Sequence, residues 1–276
     1  MKIKGSQSIF TLQYKFYTFG ATHLIILTMK RFLLTLFLLQ LVIFSFAQYE
    51  NEKYGKPLVV LVEEDPWLMV VGSDAPGFAL YENGQVIYKK IVDNKEKYFQ
   101  FTATKEQVPA MLKSFKITDS LQLLPFYMHA SDWTDQPTNT LFLNFDTIKR
   151  ISVYGRLKDM KDEARKNTPD CFLNVFDTIV HFESKEANEW LPDSVEVMAV
   201  NYSYSRRKPA KWLENCGDLK SPTTVKRGSD LYSIYIDKKY FPDLIKLIKG
   251  LKRGQAVEIN GEKFSLYYRF PFPNLR

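Results

Sequence analysis

Apolar positions along residues 57–276 come in short runs set off by turn chemistry, and their period alternates between two and the helical three to four. Residues 58–62 and 67–71 are apolar runs of strand length on either side of Glu63-Glu64-Asp65-Pro66, a turn signal. Residues 78–88 form the clearest hairpin, with Asn83-Gly84 between the two apolar arms. That dipeptide tolerates positive φ at both central positions of a type I′ turn, whose twist matches that of the flanking strands. Further strands are predicted at 98–102, 140–145, 151–154, 194–204 and 231–236, and a second Asn-Gly hairpin, around Asn260-Gly261, over 256–268.

Three segments change to helical period. Thr104 with Gln107 three positions on is a capping-box pattern, and Val108, Met111, Leu112 and Phe115 continue it as one apolar stripe, with Pro109 in the first turn. Thr168-Pro169 announces a second helix, a cap followed by proline at the first helical position, with Phe172, Val175, Phe176 and Ile179 inward. A third spans about 241–251, with Phe241, Leu244, Ile245 and Ile248 inward. Helices set among hairpins without regular βαβ alternation predict an α+β fold: a largely antiparallel β-sheet built from hairpins, with about three amphipathic helices packed on it.

The beginning of the chain has a different pattern. Met29-Lys30-Arg31, the apolar run 32–44 and Ser45-Phe46-Ala47 have the order of a secretory signal peptide, basic then apolar then small, with cleavage expected after Ala47. Residues 1–28 are read as an extension upstream of the true start, and 48–276 as a single exported α+β domain, secreted or periplasmic and without a transmembrane anchor. This alters what the charge means. The net charge of +7 includes five basic residues in 1–47 and no acid there, leaving 33 basic against 31 acidic side chains, or +2, in the rest. Nucleic-acid binding, which draws its affinity from neutralised phosphates, is therefore not expected.

Cys171 and Cys216 are an even pair in a chain predicted to be exported, so a disulfide closing a 46-residue loop is expected. Loop-closure entropy gives such a bridge roughly 4 kcal/mol. Catalytic chemistry has few carriers. Beyond residue 47 the histidines are His129 and His181, and His181 falls in the last turn of the second helix, where the helix dipole favours a cation. Around Met128-His129-Ala130-Ser131-Asp132-Trp133-Thr134-Asp135, a Ser131–His129–Asp135 triad or a metal site of His129, Asp132 and Asp135 can be written, but neither has a recognised spacing, and a turn with Asx caps explains the residues as well. Glu63 with Glu64, or Asp132 with Asp135, would serve a glycosidase only in a shared cleft. There is no phosphate-binding glycine loop, and no cofactor is called for. Arg206-Arg207-Lys208 with Lys211 and Trp212 offers cations beside an aromatic ring, and Lys246, Lys249, Lys252 and Arg253 fall at or beyond the end of the third helix.

Three stretches together resemble uncharacterised secreted proteins and lipoproteins of bacteria. These are Leu80-Tyr81-Glu82-Asn83-Gly84-Gln85-Val86-Ile87-Tyr88, Asp135-Gln136-Pro137-Thr138-Asn139-Thr140, and Phe264-Ser265-Leu266-Tyr267-Tyr268-Arg269-Phe270-Pro271-Phe272-Pro273. The chain departs from them in lacking a lipidated cysteine and in placing Phe270 between Arg269 and Pro271. The resemblance implies one exported domain and carries no activity. The functional expectation is a non-catalytic protein binding an envelope component, protein or glycan, through loop aromatics, with Trp133, Tyr202, Tyr204 and Trp212 as candidates. The alternative is an exported hydrolase, which requires a concave pocket uniting at least two of Asp132, Asp135, His129 and Glu63.

Overall fold

The structure, a computed structural model, describes residues 53–68 and 74–275; the leader and residues 69–71 of the second expected strand lie outside the described residues. These residues form one compact unit of α+β class. In chain order they run β1 (Pro57–Glu64), β2 (Phe78–Tyr81), β3 (Gln85–Val92), β4 (Lys95–Thr102), α1 (Gln107–Ser114), β5 (Tyr127–His129), β6 (Thr138–Asn144), β7 (Ile148–Tyr154), α2 (Glu163–Lys166), α3 (Asp170–Val180) and β8 (Asn188–Glu189). There follow β9 (Ser194–Asn201), β10 (Ala210–Lys211), β11 (Val225–Lys226), β12 (Leu231–Asp237), α4 (Phe241–Gly250), β13 (Val257–Ile259) and β14 (Glu262–Arg269).

The single sheet expected from the sequence is two. The first has eight strands in the order β5-β7-β6-β1-β2-β3-β4-β8, the second six in the order β10-β13-β14-β9-β12-β11. All pairs are antiparallel except β5 with β7 and β10 with β13.

Both faces of the first sheet's central strands are buried. Val59, Leu61, Phe78, Leu80 and Val86 face a core shared with Phe172, Val175, Phe176 and Ile179 of α3 and with Phe115. Their alternate neighbours Val60, Ala79, Tyr81 and Ile87 face Tyr54, Trp190 and Phe272. The chain's last residues thus seal the sheet's second face: Tyr98 and Trp190 pack edge-on against Phe272, and the Tyr81 hydroxyl donates to the Pro273 carbonyl at 2.9 Å. In the second sheet Val195, Val197, Ile234, Ile236, Phe264 and Leu266 bury against Leu244 of α4, with Phe241, Leu247 and Ile248 around it. Ile245, expected inward, is half-buried and outside this cluster, which Leu247 joins instead.

Local chemistry accounts for most element ends. The capping box forms reciprocally, Thr104 N–H donating to Gln107 Oε1 at 2.7 Å and Gln107 N–H to Thr104 Oγ1 at 3.3 Å. Thr168 does not cap α3: its hydroxyl donates instead to Ala164 O of the short α2, at 2.7 Å, and α3 begins after Pro169. His181 ends α3, its Nδ1 lying 2.8 Å from Asp177 O. Asn260-Gly261 is a two-residue turn with φ of +50° and +87°, as type I′ requires. Asn83-Gly84 differs: only Gly84 has positive φ, and its N–H donates to Tyr81 O at 3.0 Å, the signature of a type I turn closed by a glycine bulge.

The expected disulfide is absent, and the topology gives the reason. Cys171 on α3 packs against the first sheet's core and Cys216 is buried in the second sheet's core, and both are free thiols. Burial pushes the Cys216 thiol up to about 11, the Asp218 charge acting in the same direction, which makes it a poor nucleophile. Reductant is therefore expected to leave the thermal midpoint unchanged, and a thiol reagent to reach Cys216 only after unfolding. A midpoint that falls on reduction would establish a bridge.

Candidate functional site

A cleft of ≈ 460 Å³ opens where β1 leaves the first sheet and the chain enters β6. The strand register carries Glu63 opposite Asn139 and Glu64 opposite Thr138, so the turn at 65–67 and the residues before β6 are neighbours. The cleft is walled by Pro66, Trp67 and Pro137 and carries Asp65, Asp135 and Asp159 with Arg156 and Lys158. Trp67 stands 75% exposed at its lip. Its position is set by Asp65, whose carboxylate accepts the Trp67 N–H at 2.9 Å, while the Asp65 N–H is itself bound by the Asp74 carboxylate at 2.9 Å. Burial pushes the Asp74 carboxyl above its ordinary range, against the hydrogen bonds it accepts from backbone N–H groups. Asp135 holds φ of +57°, and the Tyr154 hydroxyl braces its loop, donating to Trp133 O at 3.0 Å and accepting the Gln136 N–H at 3.1 Å.

Glu63 and Lys158, paired at 2.8 Å, line both this cleft and a neighbouring pocket of ≈ 300 Å³ beside the start of β2. The floor of that pocket is apolar, made by Leu61, Phe176, Ile179 and Phe182. Its rim holds two further ion pairs, Lys89 with Glu96 at 3.0 Å and Lys90 with Glu183 at 2.7 Å. Arg156, in contrast, has no ion-pair partner among the described residues and is exposed in the cleft.

The residues singled out from sequence are distributed as follows. Glu63 and Asp135 meet in the cleft; Asp132 and His129 do not line it. The His129 ring stacks on Tyr154 at 5.0 Å, the Ser131 hydroxyl accepts the Trp133 N–H, and no hydrogen bond joins His129, Ser131 and Asp135 among the described residues. No group of three potential metal ligands gathers among the described residues.

Of the four candidate aromatics, Trp133 is 73% exposed on the loop before β6, and Tyr202 and Tyr204 pack edge-on at 4.6 Å on the loop after β9. Trp212 packs on the second core and donates its indole N–H to Gly217 O at 2.6 Å. Trp133 thus belongs to the first sheet, and Tyr202, Tyr204 and Trp212 to the second, where Tyr202 N–H donates to Lys263 O and Trp212 N–H to Glu258 O of the β13–β14 hairpin. Trp67 is the aromatic that the apolar run 67–71 concealed: it follows a turn proline, and Trp67 and Leu68 lie in that turn instead of a strand. Comparison of the chain with protein-family models, with curated proteins and with solved structures finds no match. Among the described residues no helix is long and apolar enough to cross a membrane.

Proposed function

We propose that the chain is an exported, non-catalytic protein that binds a glycan of the cell envelope in the cleft beside Trp67. Export rests on the signal-like order of residues 29–47. The reading of the cleft is carried by one observation: a Trp ring 75% exposed stands over a concave surface set with Asp65, Asp135, Asp159 and Arg156, which has no ion-pair partner among the described residues. A sugar presents an apolar ring face rimmed by hydroxyls, which an exposed indole covers while carboxylates and a guanidinium take up the hydroxyls. The adjoining apolar pocket gives room for a methyl or acyl substituent.

Titration of the full chain with soluble envelope oligosaccharides, followed by intrinsic fluorescence, tests this. Trp67→Ala is expected to weaken binding by about 2 kcal/mol, near thirtyfold in Kd, as removal of a Trp anchor does. Folding should be unaffected, because so exposed a side chain contributes little to stability. Trp133→Ala, outside the cleft, should change Kd far less. Absence of saturable binding across the oligosaccharides, or equal effects of the two substitutions, would reject the glycan reading.

The meeting of Glu63 and Asp135 keeps a glycoside-hydrolase reading in play. It is the weaker one, because a hydrolase needs both carboxyls available across the scissile bond and Glu63 is already engaged by the Lys158 ammonium at 2.8 Å. Cleavage of any of the same oligosaccharides, abolished by Asp135→Asn, would establish it over the binding reading.

A further inference from the structure

Two acid-free segments carry a concentration of charge that the overall balance hides. Residues 202–213 contain Arg206, Arg207, Lys208 and Lys211, and residues 244–257 contain Lys246, Lys249, Lys252 and Arg253, with no Asp or Glu in either. All eight cations are exposed, and none is in an ion pair among the described residues. Residues 48–276 carry +2 in total, so outside these eight side chains the same span is at −6.

The fold joins the two segments. The Arg207 Nε donates to Arg253 O at 3.0 Å, the Gln255 amide to Lys208 O at 3.0 Å, and the Ser205 hydroxyl to Gly254 O at 2.8 Å. Strand β10 then pairs with β13, bringing Lys211 alongside Glu258. The connecting turn at 252–255 is itself fixed, Lys252 N–H donating to Gln255 Oε1 at 3.0 Å and Gly254 holding φ of +74°. Beside this turn lies the Tyr202–Tyr204 pair, with Tyr204 77% exposed. Of the neighbouring acids, Glu258 lies beside Lys211, and Glu214 and Asp243 share a groove with Lys246, while Arg206, Arg207, Lys208, Lys252 and Arg253 have no ion pair among the described residues.

We propose that this surface docks the protein on an anionic lipid bilayer, the cations meeting lipid phosphates and Tyr204 resting at the headgroup level. A fixed cluster of guanidinium and ammonium groups with an exposed tyrosine at its margin has the composition of a peripheral membrane contact. The acidic remainder of the domain is repelled by the same surface, so the charge separation also orients the molecule. This docking is independent of the glycan reading, because none of its residues lines the cleft.

The test is vesicle co-sedimentation of the full chain, with phosphatidylcholine alone and with phosphatidylcholine containing phosphatidylglycerol, at low and high salt. The neutral vesicles measure whatever the apolar residues 32–46 contribute. Partition onto the anionic vesicles should exceed that onto neutral ones at least tenfold and collapse at high salt, as each cation near such a surface contributes about fivefold. The triple variant Arg206→Gln, Arg207→Gln, Lys208→Gln should lose about a hundredfold on the same reckoning. The double variant Lys252→Gln, Arg253→Gln, from the other segment, should weaken partition in the same direction. Lys105→Gln, Lys113→Gln, Lys166→Gln removes equal charge from exposed sites elsewhere and should leave partition nearly unchanged. Equal partition onto the two vesicle types, or equal loss in the two triple variants, would overturn the proposal. So would binding of soluble polyphosphate without binding of vesicles, which would assign the surface to a polyanion.

Discussion

Replacing Glu196 with alanine is expected to lower folding stability by about 3–5 kcal/mol, the loss typical when one member of a buried ion pair is removed. Glu196 lies in β9, the central strand between β14 and β12, and is 1% exposed. On one side Arg269, its register partner on β14, donates Nε–H to Oε2 at 2.7 Å. On the other, the Ser233 hydroxyl of β12 donates to Oε1 at 2.5 Å, and the Arg227 guanidinium stands 3.5 Å from the same oxygen. Arg227 is fixed in turn by bonds to Ser233 Oγ at 3.1 Å and the Tyr235 hydroxyl at 3.0 Å. The carboxylate therefore ties the three central strands of the second sheet together on the face away from α4. Without it Arg227 and Arg269 both lose this carboxylate, Arg269 in a side chain only 26% exposed. Glu196→Gln keeps the shape and one acceptor, and should cost less, about 1.5–3 kcal/mol for charge-assisted bonds weakened to neutral ones. Urea unfolding of both variants measures this; an alanine variant within about 1 kcal/mol of the parent would show that the network contributes little net stability, as some buried ion pairs do.

The network was not legible in the sequence. Val195-Glu196-Val197-Met198-Ala199 reads as a strand, but nothing local marks Glu196 as buried, since its hydrogen-bond partners Ser233 and Arg269 lie 37 and 73 residues away. Features settled within one turn of chain were legible: the Thr104–Gln107 capping box, and the α3 stripe Phe172, Val175, Phe176 and Ile179, each of which is buried. The division into two sheets was not. It depends on β1 pairing with β6 across some eighty residues, and on β9 pairing with β12 and β14 instead of continuing the first sheet. The candidate site shows the same limit. Glu63 and Asp135 were visible as loop acids, but their meeting follows from the β1–β6 register, and Trp67 was hidden in an apolar run that the Asp65 side chain bends into a turn. The two basic segments were each visible, and only the hydrogen bonds between them make one surface.

The two Asn-Gly turns permit a controlled measurement of how much such long-range contact adds to turn chemistry. Gly84 and Gly261 both hold φ of +87°, so alanine at either meets the same backbone penalty, about 1–2 kcal/mol for an L-residue in the left-handed region. Their surroundings differ. A Cβ at Gly261 meets nothing within 4 Å, whereas at Gly84 it would stand 2.2 Å from the Ala103 carbonyl oxygen. That oxygen belongs to backbone that cannot turn aside as a side chain can, because Ala103 N–H donates to Gly84 O at 2.8 Å and the α1 capping box begins at the next residue. Relieving the overlap means separating the hairpin from the start of α1, with loss of a backbone bond and disturbance of the first core, where Phe115 ends the same helix. Gly261→Ala is accordingly expected to cost about 1–2 kcal/mol. Gly84→Ala should cost about 3 kcal/mol or more, the strain and the broken bond adding to the same backbone penalty. Chemical denaturation of the two variants side by side gives the difference directly. Equal losses would mean that the 84–103 contact relaxes without cost and that the first hairpin holds its place through its strands alone.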